Sequence, residues 1–421
     1  VYLLPFACQP ASNNPMETYH RKDAFCFAGA YYVRYPERTR DLGDFVLELP
    51  AFRPLEIYDR NYGKQDPNYQ FPAEYQPYIV GTLPFNQIDK AYKGYRYAIN
   101  LNSIKQSQSM FARRVFELLA SNTITISNFS RGLRLLFGDL VLTTDSGAEI
   151  VRRLKTVADN ESHSRKLRLA GLRKVMREHT YAQRLAYVVA KVSGKAVVHS
   201  WPHMVVLAYA AHDSALESIL AQYHRQRYTQ ASLYVVIGEG MIPPVKDDTR
   251  VHVLTRAQAQ GLLVGRLESQ AALVAGMVAE DYYGPNYLTD LALATRYTQA
   301  DLIGKAARYA WADGRVQLTQ ADEAYHPVQR LPARAAAIRR QVVAQEPVLA
   351  WVESLGTRQL QADQGLAIDE FNYCEQGAAA DAALIQETVD DLPGLQTGIS
   401  IDDLLKTAEH IAPEPRPDDA C

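Results

Sequence analysis

A single carboxylate, Glu117, lies within a stretch whose residues could bind a nucleotide. The stretch reads SMFARRVFELLASNTITISN over residues 109–128, and its pattern predicts a helix that begins near Ser109, then a turn and a strand. The N-terminus of such a helix presents backbone N–H groups and the positive end of the helix dipole to an anion such as a diphosphate. One to two turns further on, Glu117 could accept hydrogen bonds from two vicinal hydroxyl groups, which suits a ribose.

The same glutamate also fits a plain ion pair. Arg113 precedes it by four residues and Arg114 by three, so all three share one side of the predicted helix. Pairs at this spacing stabilise solvated helix faces without binding any ligand. From these residues alone, ribose binding and a surface ion pair both remain open.

A second candidate site is the acidic pair Glu280 and Asp281 in the stretch AEDYYG. Closely spaced carboxylates can hold Mn²⁺ or Mg²⁺, and such a metal neutralises a diphosphate leaving group. The alternative is an acidic start for a helix that begins near residues 284–285, because acidic residues and proline are both favoured in a first turn. Spacing alone favours this second interpretation.

Composition excludes several other classes of protein. The formal net charge of the 421 residues is −2, so the chain as a whole has no strong attraction for nucleic acid. Four scattered cysteines predict neither a zinc site nor a disulfide scaffold, and they fit a reducing cytoplasm. Basic helices over residues 148–159 and 163–191 contain leucines at helical spacing and few aromatic residues, which favours a solvated face or a face against anionic lipid over a nucleic-acid surface.

Strand-like and helix-like segments alternate over residues 24–191 and predict an α/β fold with a parallel sheet covered by helices on both faces. The predicted strands are residues 24–32, 53–60, 78–81, 97–103, 123–128 and 139–144. In such a sheet, ligands bind outside the carboxyl ends of the strands. The segment that carries Glu117 lies between two of these strands, so this edge of the sheet is the expected binding site.

A boundary near residues 193–203 separates this first domain from a second alternating pattern. A helix ends at Gly194, and Pro202 precedes a new buried strand. A further helix is expected from about Gly261. The predicted domains are residues 1–195, residues 202–395, and a C-terminal segment, residues 396–421, with a helix at 401–411 and a loosely attached tail.

The first domain resembles the donor-binding half of GT-B glycosyltransferases, and within them the bacterial branch of spore-maturation-protein-like, group 1 transferases. The resemblance rests on RVFELLAS at residues 114–121, on VYLLPFACQP at the start, and on FAGAYYVRYPERTRDL, which contains Gly29, Arg34 and Arg38. It implies that Glu117 holds the ribose of a nucleotide sugar and that Gly29 and Arg34 lie near its phosphates. The donor site is then expected to include these residues: Gly29, Arg34, Ser109, Met110, Phe111, Arg113 and Glu117.

The second domain is similar to GT-A glycosyltransferases of the family 2 kind. The resemblance rests on VVLAYAAHDSALESILAQYHRQRY, on DYYGPNYLTDL followed by ADLIGKAA, and on DEFNYC. It implies a metal at Glu280 and Asp281, with Asp281 and Glu353 as catalytic candidates. The sequence departs from the family, because the first acid of the D-x-D metal motif is Ala279 and the usual E-D base pair aligns with Glu353 and Ser354. The second domain is therefore expected to keep the fold and to have lost some or all of its chemistry.

Together, the two resemblances imply a bacterial glycosyltransferase that moves a sugar from a nucleotide-sugar donor to a glycan or cell-surface polysaccharide acceptor. The expected location is cytoplasmic, with peripheral contact at the inner membrane face as an option, and no nucleic-acid partner is expected. The alternative is a catalytically decayed protein that binds nucleotide sugars or serves as a scaffold. Because the chain begins with Val1 and GT-B enzymes use two halves, either an N-terminal half-domain precedes it or this half works without one.

Overall fold

The computed structural model describes residues 2–195, 197, 201–243 and 248–409, and the chain divides into two compact units. The first unit comprises residues 1–199 together with 393–421, and the second comprises residues 200–392. Both units are α/β. The tail that sequence patterns place after the last helix falls at residues 410–421, outside the described residues.

The first unit is built on a six-stranded parallel sheet with the order β3-β2-β1-β4-β5-β6, the arrangement of a Rossmann-like fold. The strands are β1 Lys22–Gly29, β2 Leu55–Asp59, β3 Ile79–Gly81, β4 Tyr95–Asn100, β5 Ile124–Ser127 and β6 Val141–Thr143. The helices are α1 Pro36–Glu48, α2 Asp89–Lys93, α3 Arg114–Ala120, α4 Arg131–Phe137, α5 Gly147–Ala158, α6 Glu161–Glu178 and α7 Tyr181–Ser193. The predicted parallel sheet is confirmed.

The central strands of this sheet are largely buried because they consist mainly of apolar residues that helices cover. Phe25, Phe27, Ile57 and Ile126 are fully enclosed. Helix α3 contributes Val115, Phe116, Leu118 and Leu119 to the same core, and only its polar positions face outward. This division of the α3 surface leaves Glu117 at the border between the core and the sheet edge.

Two predictions about the basic segment 163–191 were wrong. The single long helix is two helices, α6 and α7, because Thr180 and Gln183 form a capping box that starts α7. The basic face of α6 is not simply solvated either, since Lys166, Arg173 and Lys174 are buried. Lys174 Nζ bonds to the Glu178 carboxylate and to the carbonyl oxygen of Ile399. These cations support packing within the unit.

The second unit contains an eight-stranded mixed sheet with the order β15-β17-β12-β16-β10-β7-β8-β9 and a four-stranded sheet with the order β11-β18-β13-β14. The strands of the larger sheet are β7 His203–Ala210, β8 Ala231–Ile237, β9 Val251–Thr255, β10 Ala271–Gly276, β12 Leu302–Gly304, β15 Pro327–Pro332, β16 Ala336–Arg339 and β17 Gln359–Ala367. Those of the smaller sheet are β11 Tyr282–Tyr283, β13 Arg308–Ala312, β14 Arg315–Thr319 and β18 Tyr373–Glu375. Its helices are α8 Asp213–Arg225, α9 Arg256–Ala259, α10 Tyr287–Ala294, α11 Arg340–Val343, α12 Val348–Ser354 and α13 Ala382–Val389.

The prediction of a helix from about Gly261 was also wrong. The apolar run that follows this residue is strand β10, which lies between β7 and β16. A short apolar run that is buried on both sides has the same composition in a strand and in a buried helix. The helix expected near residues 284–285 begins slightly later, as α10 at Tyr287.

The last described segment, residues 393–409, packs on the first unit. The Ile399 N–H donates to the Leu135 carbonyl at 2.9 Å, and the Ile401 N–H donates to a Glu178 carboxylate oxygen at 3.0 Å. Helix α14, Ile401–Glu409, follows these contacts. The first unit is thus assembled from both ends of the described chain.

Candidate functional site

A cavity of about 530 Å³ opens at the carboxyl edge of the six-stranded sheet. Gly29 is the last residue of β1, Arg60 directly follows β2, and Leu101 directly follows β4, and all three line the cavity. Strand order reverses between β1 and β4, and that point is where open α/β sheets bind ligands. The cavity therefore lies where the predicted fold required a binding site.

Glu117 faces this cavity with 14% of its side chain exposed. Its Oε1 accepts from Arg113 Nε at 2.9 Å, and its Oε2 accepts from the Tyr92 hydroxyl at 2.9 Å. The ion pair with Arg113 that the spacing allowed is thus present. The pair lies at a cavity wall rather than on a solvated helix face.

Positive charge dominates the cavity. Five of its lining residues are arginines, namely Arg34, Arg38, Arg60, Arg113 and Arg114, whereas Glu117 is the lining carboxylate. Such an excess of guanidinium groups attracts a multiply charged anion, because guanidinium matches the geometry of phosphate oxygens.

Arg38 is the most deeply buried of these arginines. Its Nη1 donates to the Ala30 carbonyl at 3.1 Å, and its guanidinium lies 4.7 Å from the centre of the Tyr32 ring. Burial, and then the nearby charge of Arg114, lower the pKa of Arg38 to about 10. Arg38 still carries its charge at neutral pH, so it adds to the positive potential of the cavity.

Arg114 lines the cavity and has an N–H group that is free to donate a hydrogen bond. Its Nε atom is buried and has no hydrogen-bond partner within the described residues. The guanidinium lies 5.9 Å from the centre of the Phe27 ring, so it rests on an apolar surface. A buried N–H without an acceptor is costly, and a bound anion would satisfy it.

The loop that precedes α3 forms one wall of the cavity and is fixed by polar contacts. Asn102 accepts a hydrogen bond from the Ala112 N–H at 2.9 Å, and its own N–H donates to the Asn128 side chain at 2.7 Å. Lys105 Nζ bonds to Asp41 at 2.8 Å. These bonds hold Met110, Phe111 and Arg113 in place around the cavity.

The structure brings six of the seven expected donor-site residues to this one cavity, and they are Gly29, Arg34, Met110, Phe111, Arg113 and Glu117. Ser109 is not among the lining residues, and the prediction that a helix begins there was wrong. Helix α3 begins at Arg114. The Ser107 hydroxyl accepts from the backbone N–H groups of Ser109 and Met110, a local bond that competes with helix formation.

Sequence analysis missed Tyr92, Arg60 and Arg114 as lining residues. Arg60 could have been found, because it is the last residue of the second predicted strand, at its carboxyl end. Arg114 lies inside the RVFELLAS stretch, where its spacing indicates only a partner of Glu117. Tyr92 carries no local signal, since only the packing of α2 brings its hydroxyl to Glu117.

In the second unit, Asp281 is fully buried and its oxygens are occupied. It accepts from Arg334 Nε at 2.7 Å, from Arg334 Nη2, from the Tyr373 hydroxyl at 2.7 Å and from the Gln376 N–H at 2.8 Å. A carboxylate in this state serves as a structural anion and presents no free oxygen to a metal or substrate. This is a correction to the expectation for Asp281.

The other acidic candidates lie in different surroundings. Glu280 is exposed although the next residue is buried, so the two carboxylates do not face one site. Glu353, on α12, forms an ion pair with Arg256 at 2.5 Å. Across the described ranges, no cluster of three or more His, Cys, Asp and Glu residues has a geometry that could hold a metal ion.

Residues 46–190 match the model of a protein family described as glycosyl transferase-like. The matched range covers about a third of the chain and includes strands β2 to β6 with Glu117. The similarity to this glycosyl transferase-like family thus lies within the first unit. No curated protein matches the chain.

One similar solved structure is S. aureus TarS, residues 1–349, in complex with UDP-GlcNAc. The sequence identity is 12%, the match covers 42% of this chain and 61% of that chain, and the TM-score is 0.27. At this TM-score the likeness carries no argument about the site. Within the described parts of the chain, no helix is both long enough and apolar enough to cross a lipid bilayer.

Proposed function

We propose that the cavity beside Glu117 binds a nucleotide-sugar donor and that the protein transfers the sugar to a glycan or polysaccharide acceptor. The observation that carries this proposal is the composition of the cavity, where five arginines surround one hydrogen-bonded carboxylate at the carboxyl edge of a Rossmann-like sheet. The glycosyl transferase-like family match over residues 46–190 supports the reaction class.

Glu117 would bind the ribose of the donor. A carboxylate can accept about four hydrogen bonds, two at each oxygen. Arg113 and Tyr92 supply one donor to each oxygen, so each retains one acceptor site for a hydroxyl group. Two such sites on one carboxylate match the adjacent 2′- and 3′-hydroxyls of a ribose.

The arginines would bind the diphosphate. Arg34, Arg60 and Arg114 have no carboxylate within ion-pair distance among the described residues, whereas Arg113 is paired with Glu117. In sugar transfer, negative charge accumulates on the departing nucleoside diphosphate, and guanidinium groups stabilise it. These arginines, and not the N-terminus of α3, would hold the diphosphate, because α3 has only seven residues.

In this proposal the first unit is the donor-binding half of a GT-B type enzyme, the second is a GT-A-like domain, and the protein acts in the cytoplasm. A second candidate function is donor binding without transfer. The observation that favours it is the state of the second unit, where Asp281 is bonded to Arg334 and Glu353 to Arg256.

Isothermal titration calorimetry with UDP, GDP and their sugars, with and without Mn²⁺, tests donor binding. We expect measurable heat of binding for the wild-type protein. Glu117→Ala should lower the affinity by about 10-fold or more, because it removes both ribose hydrogen bonds. Glu149→Ala is the matched control, since Glu149 also pairs with arginines three and four residues away but lies outside the cavity. No heat with any nucleotide would refute the proposal.

Hydrolysis of the bound nucleotide sugar separates the two candidate functions. A transferase is expected to release free sugar slowly in the absence of acceptor, and Glu117→Ala should reduce this release. Nucleotide binding without any hydrolysis or transfer would favour the binding function.

A further inference from the structure

The carboxylate of Glu117 has two hydrogen-bond donors of very different character. Arg113 is half exposed, with 51% of its side chain accessible, and it immediately precedes the short helix that carries Glu117. Tyr92 is buried and comes from another element, α2, 25 residues earlier in the chain. An exposed ion pair is weak and mobile, so the tyrosine is the fixed partner.

Tyr92 is itself held on several sides. Its ring belongs to a buried cluster with Cys26, Ala98 and Leu118. Its carbonyl oxygen accepts a hydrogen bond from the Thr123 hydroxyl at 2.5 Å, which links α2 to the residue that precedes β5. The position of the Tyr92 hydroxyl is therefore set by the core of the first unit.

The Tyr92 hydroxyl can only be a donor to Glu117 at neutral pH. Burial raises the pKa of Tyr92 to about 12, so the phenol keeps its proton, and an ionised carboxylate has none to give. The terminal torsion of a glutamate is otherwise broad and permits many carboxylate orientations. A hydrogen bond from a fixed donor to Oε2 restricts that rotation.

We propose that Tyr92 is a positioning residue that fixes the plane of the Glu117 carboxylate and thereby sets the preference of the site for ribose over 2′-deoxyribose. This inference rests on the proposed function. With the plane fixed, the remaining acceptor sites of the two carboxylate oxygens face the cavity together, and both hydroxyls of a vicinal diol can be bound at once. A 2′-deoxy ligand uses one of these sites only.

The test compares the affinities of UDP and 2′-deoxy-UDP, and of GDP and 2′-deoxy-GDP, for the full chain and for Tyr92→Phe. This variant removes one hydroxyl and keeps the ring in its core cluster. We expect UDP affinity to fall about 3- to 10-fold and 2′-deoxy-UDP affinity to change less, so that the ratio of the two moves toward one. A general loss of packing would weaken both ligands equally and leave the ratio unchanged.

Tyr58→Phe is the matched control. Tyr58 belongs to the same buried cluster, but its hydroxyl bonds to the Tyr95 hydroxyl at 2.9 Å instead of to Glu117. The control should keep the wild-type ratio. In a Glu117→Ala background, adding Tyr92→Phe should have no further effect on the ratio, because the carboxylate it positions is absent.

The outcomes distinguish this inference from the proposed function. If the wild-type protein binds ribonucleotides in a Glu117-dependent way and Tyr92→Phe keeps the wild-type ratio, the inference is overturned and the proposed function stands. If the wild-type protein binds no nucleoside diphosphate, both are overturned. A shifted ratio in Tyr92→Phe, with Tyr58→Phe unchanged, supports the inference.

Discussion

The arginines of the cavity differ in what they already bond, and this difference decides which of them can serve a ligand. Arg113 is paired with Glu117, and Arg38 donates to the Ala30 carbonyl. Arg114 instead keeps a buried Nε without a partner in the described chain. An N–H group that is buried without an acceptor is pre-organised for an anion, because the cost of removing it from water has been met during folding.

Arg114→Met tests this at the residue scale. The variant keeps a long apolar stem on the Phe27 ring and removes the charge, so we expect affinity for nucleoside diphosphates to fall about 10- to 100-fold. The dependence of affinity on salt should weaken as well. Calorimetry at two salt concentrations measures the affinity and its salt dependence. The control is Arg152→Met, which changes an exposed arginine paired with Glu149 and should alter neither quantity. Equal losses in the two variants would contradict a specific role for Arg114.

His179 makes the first unit sensitive to acid. Its ring is buried between Phe116 and Phe137, and its Nδ1 accepts from Arg184 Nη2 at 2.7 Å. Its Nε2 has no hydrogen-bond partner among the described residues and lies 3.9 Å from a Glu178 carboxylate oxygen. Burial, and then the charges of Arg184 and Lys174, hold the pKa of His179 well below its usual value. The histidine is therefore neutral in the folded protein.

The sign of the pH effect follows from this shift. Below about pH 6.5 the unfolded chain binds a proton at this histidine and the folded chain does not, so stability falls by up to about 1.4 kcal/mol per pH unit. Urea unfolding at about pH 7 and about pH 5.5 measures the slope. His179→Gln should give a shallower slope, and a change at the exposed His20 should not. An unchanged slope in His179→Gln would show that other groups account for the acid sensitivity.

At the scale of elements, the sequence predicted the sheet well because hydrophobic alternation and strand-end residues are local signals. Gly29 is the last residue of β1 and Arg34 lies in the loop that follows it, so their place at the cavity could be inferred from the strand prediction. The start of α3 could not, since the Asn102 and Ser107 side chains accept from the Ala112 and Met110 N–H groups and hold this segment in a loop. Tyr92 and Asp281 depend on partners far along the chain, Glu117 and Arg334, which no local pattern reveals.

The contact between α4 and the C-terminal segment depends on Gly398. Its φ of 77° is in the left-handed region, and a Cβ at this position would overlap the Leu136 carbonyl. Gly398→Ala should therefore destabilise the first unit by about 3 kcal/mol or more, through strain and lost contact together. Urea unfolding measures the loss.

Gly394→Ala separates the effect of backbone strain from the effect of lost packing. Gly394 has a similar φ of 70°, but a Cβ there meets no atom within 4 Å, so this variant should cost only the strain of about 1–2 kcal/mol. If the two alanine variants lose the same stability, close packing at Gly398 contributes nothing.

At the scale of the whole molecule, the two units differ in how they use buried charge. The first unit exposes guanidiniums to a cavity, whereas the second encloses Asp281 against Arg334 and Tyr373. Removing one member of a buried ion pair is strongly destabilising because the other charge remains without compensation. The acidic side chains of the second unit are thus tied to its stability.

Asp281→Asn should lower the free energy of unfolding of the second unit by about 3–5 kcal/mol and leave nucleotide affinity unchanged. Differential scanning calorimetry measures the first effect and isothermal titration the second. Glu280→Gln, on the exposed neighbouring carboxylate, is the control and should change neither. Lost metal-dependent donor binding in a stable Asp281→Asn protein would instead support the role in metal binding that the sequence suggested.

The return of residues 393–409 to the first unit has a consequence for synthesis on the ribosome. The Ile399 and Ile401 contacts to Leu135 and Glu178 can form only after all 193 residues of the second unit, 200–392, have been translated. The nascent first unit therefore stays incomplete while the second unit is synthesised. Binding of chaperones to the first unit should accordingly continue late into translation and end when residues 393–409 leave the exit tunnel.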